Sequence, residues 1–314
     1  MQTTTELNID IEEYLKKQKK LIDSKLNFLL DKAKKNIDLK ELYDAISYSL
    51  LNGGKRIRGA LCLATFETYA KNADKELFED CLTTACSIEI IHAMSLIHDD
   101  LPSMDNDDIR RGKPSCHKVF GEANAILTGD GMLTLAFQLI IENTNKINDK
   151  EKLEVINILA KAFTFGLVPG QMLDLETVNK SADLNTIDRI AKLKTAELIK
   201  AAVICGALIA KKNSTIPIPD SILKSLDIFG INIGKAFQVI DDILDVISDT
   251  KTLGKTSGKD RKRNKPTYPS VIGLEAAKKT AEDLIENAKF ELHKANTDTC
   301  VLSSIADFII KRIY

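Results

Sequence analysis

The chain has 314 residues, 44% of them hydrophobic and 28% charged, enough to bury a sizeable core beneath an ordinary polar surface. Forty-four Lys and Arg against 45 Asp and Glu leave a formal charge of −1. That balance excludes nucleic-acid binding through bulk positive charge and makes any anion site a local one.

Helical periodicity dominates in chain order. The opening stretch, MQTTTELNIDIEEYLKKQKK, has no apolar signal core, and its acids argue against a transit peptide. Lys16, Lys17, Lys19 and Lys20 read as a solvated helix face, and Ile22, Leu26 and Leu29 keep the 3–4 spacing of its apolar stripe. Gly53-Gly54 then interrupts the pattern and leads into Lys55, Arg56 and Arg58, a flexible turn presenting three cations. Ile90, Met94 and Ile97 carry the next helix into Asp99-Asp100-Leu101-Pro102-Ser103-Met104-Asp105, with Asn106, Asp107 and Asp108 behind it. Arg110-Arg111-Gly112 follows, and breakers recur at Pro169-Gly170, from Pro217 to Pro219 and from Gly254 to Pro269. Lys194-Thr195 lies within an apolar helix, and the periodic segment from Ile222 to Ile247 ends on Asp241-Asp242-Ile243-Leu244-Asp245. About ten helices, no train of strands and no low-complexity linker predict an all-α protein of one domain. Six cysteines show no CxxC pair and no ligand-like spacing with histidine, so they read as idle thiols in a reducing compartment. No unbroken run approaches the ~18 apolar residues of a membrane span. A cytoplasmic protein is expected.

The two acid clusters carry the chemistry. Each ends an apolar helical stretch, where ionised carboxylates are poorly solvated and need a compensating cation. Asp241 and Asp245 stand i, i+4 on one helix face, where they repel each other unless a cation sits between them. An all-oxygen set without a His/Cys group suits Mg²⁺ rather than zinc. Asp99 and Asp105 are six apart, which on an ideal helix puts them on different faces; Pro102 loosens the segment so that Asp105 can come round. Three basic groups flank the clusters: Lys55 to Arg58, Arg110-Arg111 and Lys194. Arginine forks and glycine-adjacent amides are phosphate-binding tools. Acids and bases in one helical chain imply substrates with several phosphates, held through metal on one side and cations on the other.

GGKRIR (53–58), SLIHDDLPSMDNDDIRRGKP (95–114), GQMLDL (170–175), LKTAEL (193–198), FQVIDDILD (237–245) and LGKTSGKD (253–260) stand in the order found in trans-prenyl diphosphate synthases. The chain resembles the short-chain members that make farnesyl or geranylgeranyl diphosphate. That resemblance implies an isoprenoid-synthase-type bundle around a deep cavity, a homodimer and three Mg²⁺ ions per site. It makes Asp99, Asp105 and Asp241 the main metal ligands, supported by Asp100, Asp242 and Asp245. It assigns the allylic diphosphate to Arg110, Lys194, Thr195, Gln238 and Lys255, with Lys265 closing over it. Lys55, Arg58, His92 and Arg111 would bind isopentenyl diphosphate, although spacing alone makes His92 a core histidine. The implied reaction ionises the allylic C–O bond, shields the cation in an apolar cavity and couples it head-to-tail (1′–4) to isopentenyl diphosphate. Lys194, Thr195 and Gln238 would also steady the cation.

Family resemblance places the floor of the growing tail at Met94 and Ser95, with Ile90, Ile91 and Ser87 one turn deeper. Methionine blocks less rigidly than an aromatic ring, which keeps a C20 product open. The stretch GEANAILTGDGMLTLAFQLI (121–140) resembles the farnesyl group, so farnesyl diphosphate is the expected product and geranylgeranyl diphosphate the alternative. A class I terpene cyclase shares the metal site but has no use for Lys55, Arg58 and Arg111. A non-catalytic synthase subunit would be expected to lack one aspartate cluster.

Overall fold

A computed structural model describes residues 10–212, 217–247, 264–294 and 297–313. Among these the chain is helical apart from one two-stranded hairpin, Ile109–Arg110 (β1) paired antiparallel with Lys113–Pro114 (β2). The helices are α1 (Ile11–Ala33), α2 (Lys40–Leu51), α3 (Ile57–Tyr69), α4 (Lys75–Asp99), α5 (Cys116–Phe120), α6 (Glu122–Asn143) and α7 (Asp149–Ala162). They continue with α8 (Val168–Glu176), α9 (Leu184–Ile190), α10 (Glu197–Lys211), α11 (Asp220–Ile247), α12 (Tyr268–Ile272), α13 (Leu274–His293) and α14 (Cys300–Ile310). The all-α expectation holds.

Polar side chains mark several helix starts. Asp10 accepts the Glu12 and Glu13 amides at 3.1 and 3.0 Å, Asp74 accepts Leu77 at 2.8 Å, and Asn148 and Glu151 close a reciprocal capping box. α4 is buried along nearly its whole length, from Leu77 to Ile97, and packs against α3, α6 and α10. α10 in turn packs against α3 and α11, and α11 against α13. The α3–α10 approach depends on Gly206, where a Cβ would stand 2.2 Å from the Cys62 carbonyl oxygen. One buried acid in α4 is structural: Asp80 accepts the amides of Asn145, Lys146 and Ile147 at 2.7–2.9 Å, tying down the α6–α7 turn.

Three helical stretches, Lys75–Asp99, Glu122–Asn143 and Asp149–Glu176, are long and apolar enough to cross a membrane by length and composition, which the sequence reading did not anticipate. An unbroken apolar run is interrupted in them by Thr, Ser, Gly and isolated charges, whereas their average stays apolar. The first spends that character on the protein core.

α7 passes into α8 through a π-helical turn, Phe163–Leu167, and α9 into α10 through another, Ala191–Ala196. Each inserts a residue and so rotates the following helix by about 100°. Both turns abut the cavity described next.

Candidate active site

A cavity of about 390 Å³ is lined from α4, α8, α11, both basic turns and the second π turn. It brings Asp99 and Asp105 to one space with Asp241, Asp242 and Asp245, together with Lys55, Arg58, His92, Arg110, Arg111, Lys194, Thr195, Gln238 and Lys265. Two acid clusters about 140 residues apart in sequence therefore share a wall. Lys255 and the motif LGKTSGKD lie outside the described residues.

The first cluster folds as its proline required. α4 stops at Asp99, the chain turns, and the Asp105 amide donates to the Asp99 carbonyl at 2.7 Å. The Asp107 amide returns to the Asp100 carbonyl at 3.1 Å. Residues six apart thus become neighbours. Asp100 goes the other way: it is 2% exposed, does not line the cavity and accepts the Arg110 Nε on both oxygens at 3.1 Å. Burial raises its carboxyl, and Arg110 opposes that rise. From behind the cavity wall it orients Arg110, which does line the cavity. Burial also lifts Asp99, to about 6, against the pull of Lys194 and with Asp105 adding to the rise.

On α11, Gln238 donates to Asp242 at 2.8 Å and accepts the Thr195 hydroxyl at 2.7 Å. The other Asp242 oxygen accepts the Tyr268 amide at 3.1 Å, so this acid also anchors the start of α12. Asp241 accepts Arg312 Nη2 at 2.8 Å, and the guanidinium lies 4.8 Å over the Phe237 ring. Arg312 was not foreseen, because its only sequence signal is the Lys311-Arg312 pair, about 70 residues from the acid cluster it meets.

Asp174 was also missed, although GQMLDL contains it. It is 3% exposed and accepts Lys194 at 2.6 Å and Lys265 at 2.7 Å. Burial alone would raise it; the two ammonium groups outweigh burial and hold it at about 2. Lys194 also stands 3.7 Å from Asp105, and burial, which would lower it, is overcome by Asp174, Asp99 and Asp105. The approach of α8 to Lys194 requires Gly170, where a Cβ would stand 2.3 Å from the Lys194 amide nitrogen.

Around Lys55, Arg58 and Arg111 the cations of the cavity lining outnumber their partners. Lys55 is lowered by burial and by Arg312, Arg58 by burial, and Arg111 to about 10 by burial and neighbouring arginines. The Arg58 Nε is buried without a hydrogen-bond partner. His92 is held well below its ordinary value by burial and by Arg58 and Arg111, and is therefore neutral. Such a set is deficient in negative charge and fits an anion. Arg56, the third cation of its turn, also lines the cavity, but it is 2% exposed and largely tied down by bonds to Asp23 and the Leu50 carbonyl at 2.8 and 2.6 Å.

Below the acids a second, apolar cavity of about 170 Å³ opens between Met94, Ser95, His98, Met104, Phe163 and Leu175. Ser95, Asp99, Leu167 and Lys194 line both spaces. A polar head and an apolar tail would meet there.

Among the described residues no three His, Cys, Asp or Glu side chains converge tightly enough to hold a metal unaided. Protonated side chains stand where a metal cation would neutralise the acids: the Lys194 ammonium beside Asp105 and the Arg312 guanidinium on Asp241. The all-oxygen donors still fit Mg²⁺, which binds through one or two carboxylates and completes its octahedron with water and phosphate.

Polyprenyl synthetase is the family whose model matches residues 39–302. The chain is 44% identical to the farnesyl diphosphate synthase of Escherichia coli (strain K12), over 86% of this chain and 88% of that protein. It is 42% identical to the geranylgeranyl diphosphate synthase of Cyanophora paradoxa, over 97% of each. A Helicobacter pylori geranyltransferase, solved with magnesium and isoprenyl diphosphate, superposes with a TM-score of 0.80 at 29% identity, over 97% of this chain and 98% of that one. With its two acid clusters and its cation-rich wall around one cavity, the chain belongs to the polyprenyl synthetase family and is a short-chain prenyl diphosphate synthase.

Proposed function

We propose that the protein is an Mg²⁺-dependent farnesyl diphosphate synthase, condensing isopentenyl diphosphate head-to-tail with dimethylallyl and geranyl diphosphates. The observation that carries this reading is a cavity lined by both acid clusters and an excess of cations, adjoining an apolar cavity that shares Ser95, Asp99, Leu167 and Lys194 with it. Asp99, Asp105, Asp241, Asp242 and Asp245 would hold the metal. Mg²⁺, three ions in this reading, supplies charge neutralisation for the departing diphosphate.

The chain's own side chains do the rest. Arg110, Lys194, Lys265 and, outside the described residues, Lys255 hold the allylic diphosphate. Gln238 and Thr195, already hydrogen-bonded to each other, face it from α11 and the π turn. Lys55, Arg58, Arg111 and neutral His92 hold isopentenyl diphosphate, whose charge would satisfy the unpartnered Arg58 Nε. The apolar annex takes the tail and excludes water from the cation. Asp100 serves through Arg110.

A geranylgeranyl product is the second reading, favoured by the flexible Met94 at the annex wall. We assign the protein to the cytoplasm, supported by the buried thiols of Cys62, Cys81, Cys86, Cys116 and Cys205. Exposed Ile126 and Leu127 on α6 support a homodimer; light scattering that finds only monomer would oppose that assignment. The central test is incubation with isopentenyl and each allylic diphosphate, with Mg²⁺ or with EDTA, followed by phosphatase treatment and chromatography of the alcohols. A C15 alcohol that needs both substrates and Mg²⁺ is expected. A C20 alcohol selects the second reading, and cyclised hydrocarbon from one substrate rejects both.

A further inference from the structure

Gln171 is the second residue of GQMLDL, between Gly170, which admits the Lys194 backbone, and Asp174, which pairs with two lysines. It sits on α8 between Leu167 and Leu175, one turn from each, and all three line the apolar cavity. Three residues further on, Asp174 lines the polar cavity. Leu167 and Lys194 line both. Gln171 therefore stands next to the boundary between the spaces, on the apolar side, where the first carbons of an allylic chain must lie if its diphosphate is above and its tail below.

Its carboxamide is anomalous there. Both Oε1 and Nε2 are shut off from solvent, and neither has a hydrogen-bond partner among the described residues. Buried amides are almost always paired, and an unpaired one destabilises the fold. A leucine or methionine would satisfy the surrounding Met94, Met104, Phe163 and Met172 without that penalty. An unpaired dipole that faces no partner in the resting protein acquires one only if charge appears beside it.

We propose that Gln171 is a further catalytic residue of the coupling, its amide oxygen stabilising the allylic cation. This rests on the prenyl-coupling reading. The C1–O bond breaks with both electrons leaving on the diphosphate, and the positive charge is shared between C1 and C3. The π pair of isopentenyl diphosphate then forms the new C–C bond, and the resulting cation loses a proton to the released diphosphate, which leaves a new double bond. The dipole is neutral toward the uncharged chain and favourable only toward the charged one, so it acts on the transition state and not on binding.

The test compares full-length wild type with Gln171→Met, which keeps volume and removes the dipole. Substrates are isopentenyl diphosphate with geranyl or 2-fluorogeranyl diphosphate. Gln171→Met should lower kcat about 10–100-fold, leave both KM values within about twofold, and melt at the same or a higher temperature because an unpaired amide is gone. Fluorine withdraws charge from the allyl system, so the ratio of geranyl to fluorogeranyl rates should rise in the variant. Turnover within about twofold of wild type overturns the proposal. So does a fall in turnover with an unchanged fluorine ratio, which would make Gln171 a packing residue whatever happens to melting. Wild type that couples neither substrate pair defeats the coupling reading itself, whereas active wild type with equally active Gln171→Met defeats this inference alone.

Discussion

Asp99 and Asp100 are adjacent in sequence and part company in the structure: one faces the cavity, the other turns back to Arg110. One residue on a helix is about 100° of rotation, enough to separate a metal-facing acid from an anchoring one. Asp99→Ala and Asp241→Ala should each lower kcat by orders of magnitude with the fold retained, because each removes charge that matters as the diphosphate leaves. Steady-state kinetics and circular dichroism check this, and a near-normal rate would end the metal assignment. Met94 is 1% exposed and lines the apolar cavity. Met94→Tyr adds a rigid ring to that space and should shift the main alcohol at least one isoprene unit shorter. An unchanged chromatogram would remove Met94 as the limiting residue.

The elements position these side chains through close backbone approaches. α8 can reach the π turn at Ala191–Ala196 because Gly170 leaves room for the Lys194 backbone. Gly170→Ala should therefore force α8 outward, weaken the Asp174–Lys194 pair and destabilise the protein by about 1–3 kcal/mol. Denaturant titration gives the first effect and kcat the second; wild-type values in both would refute the contact. The helices themselves were legible, since Ile22, Leu26 and Leu29 announce α1 and the segment from Ile222 to Ile247 falls within α11. The π turns were not, because a one-residue insertion leaves the apolar pattern of Phe163–Leu167 looking like ordinary helix.

Across the whole molecule, stability is linked to the same charges. Asp174 is held at about 2 by two lysines from distant segments, below the usual carboxylate range. A depressed folded-state value adds stability that is present above the unfolded value near 4 and lost as pH falls toward 2. That contribution is on the order of 2 kcal/mol at neutral pH. Asp174→Asn should remove it, so the gap between wild type and variant should be full above about pH 5, shrink as pH falls and close only at about pH 2 and below. Thermal melts across that range measure it, and a constant gap would show that the linkage is absent.

The sequence by itself determined the helical class, the two acid clusters, the basic turns and the family motifs, because each is written within a few residues and needs only local spacing to be read. Tertiary structure decided which acid faces the cavity, that Asp174 joins Lys194 to Lys265, that Arg312 reaches Asp241, and that Asp23 ties down Arg56. Those partners lie 20 to 91 residues apart. Which of them meet depends on helix rotation and on glycine-sized gaps between backbones, quantities that no local pattern encodes.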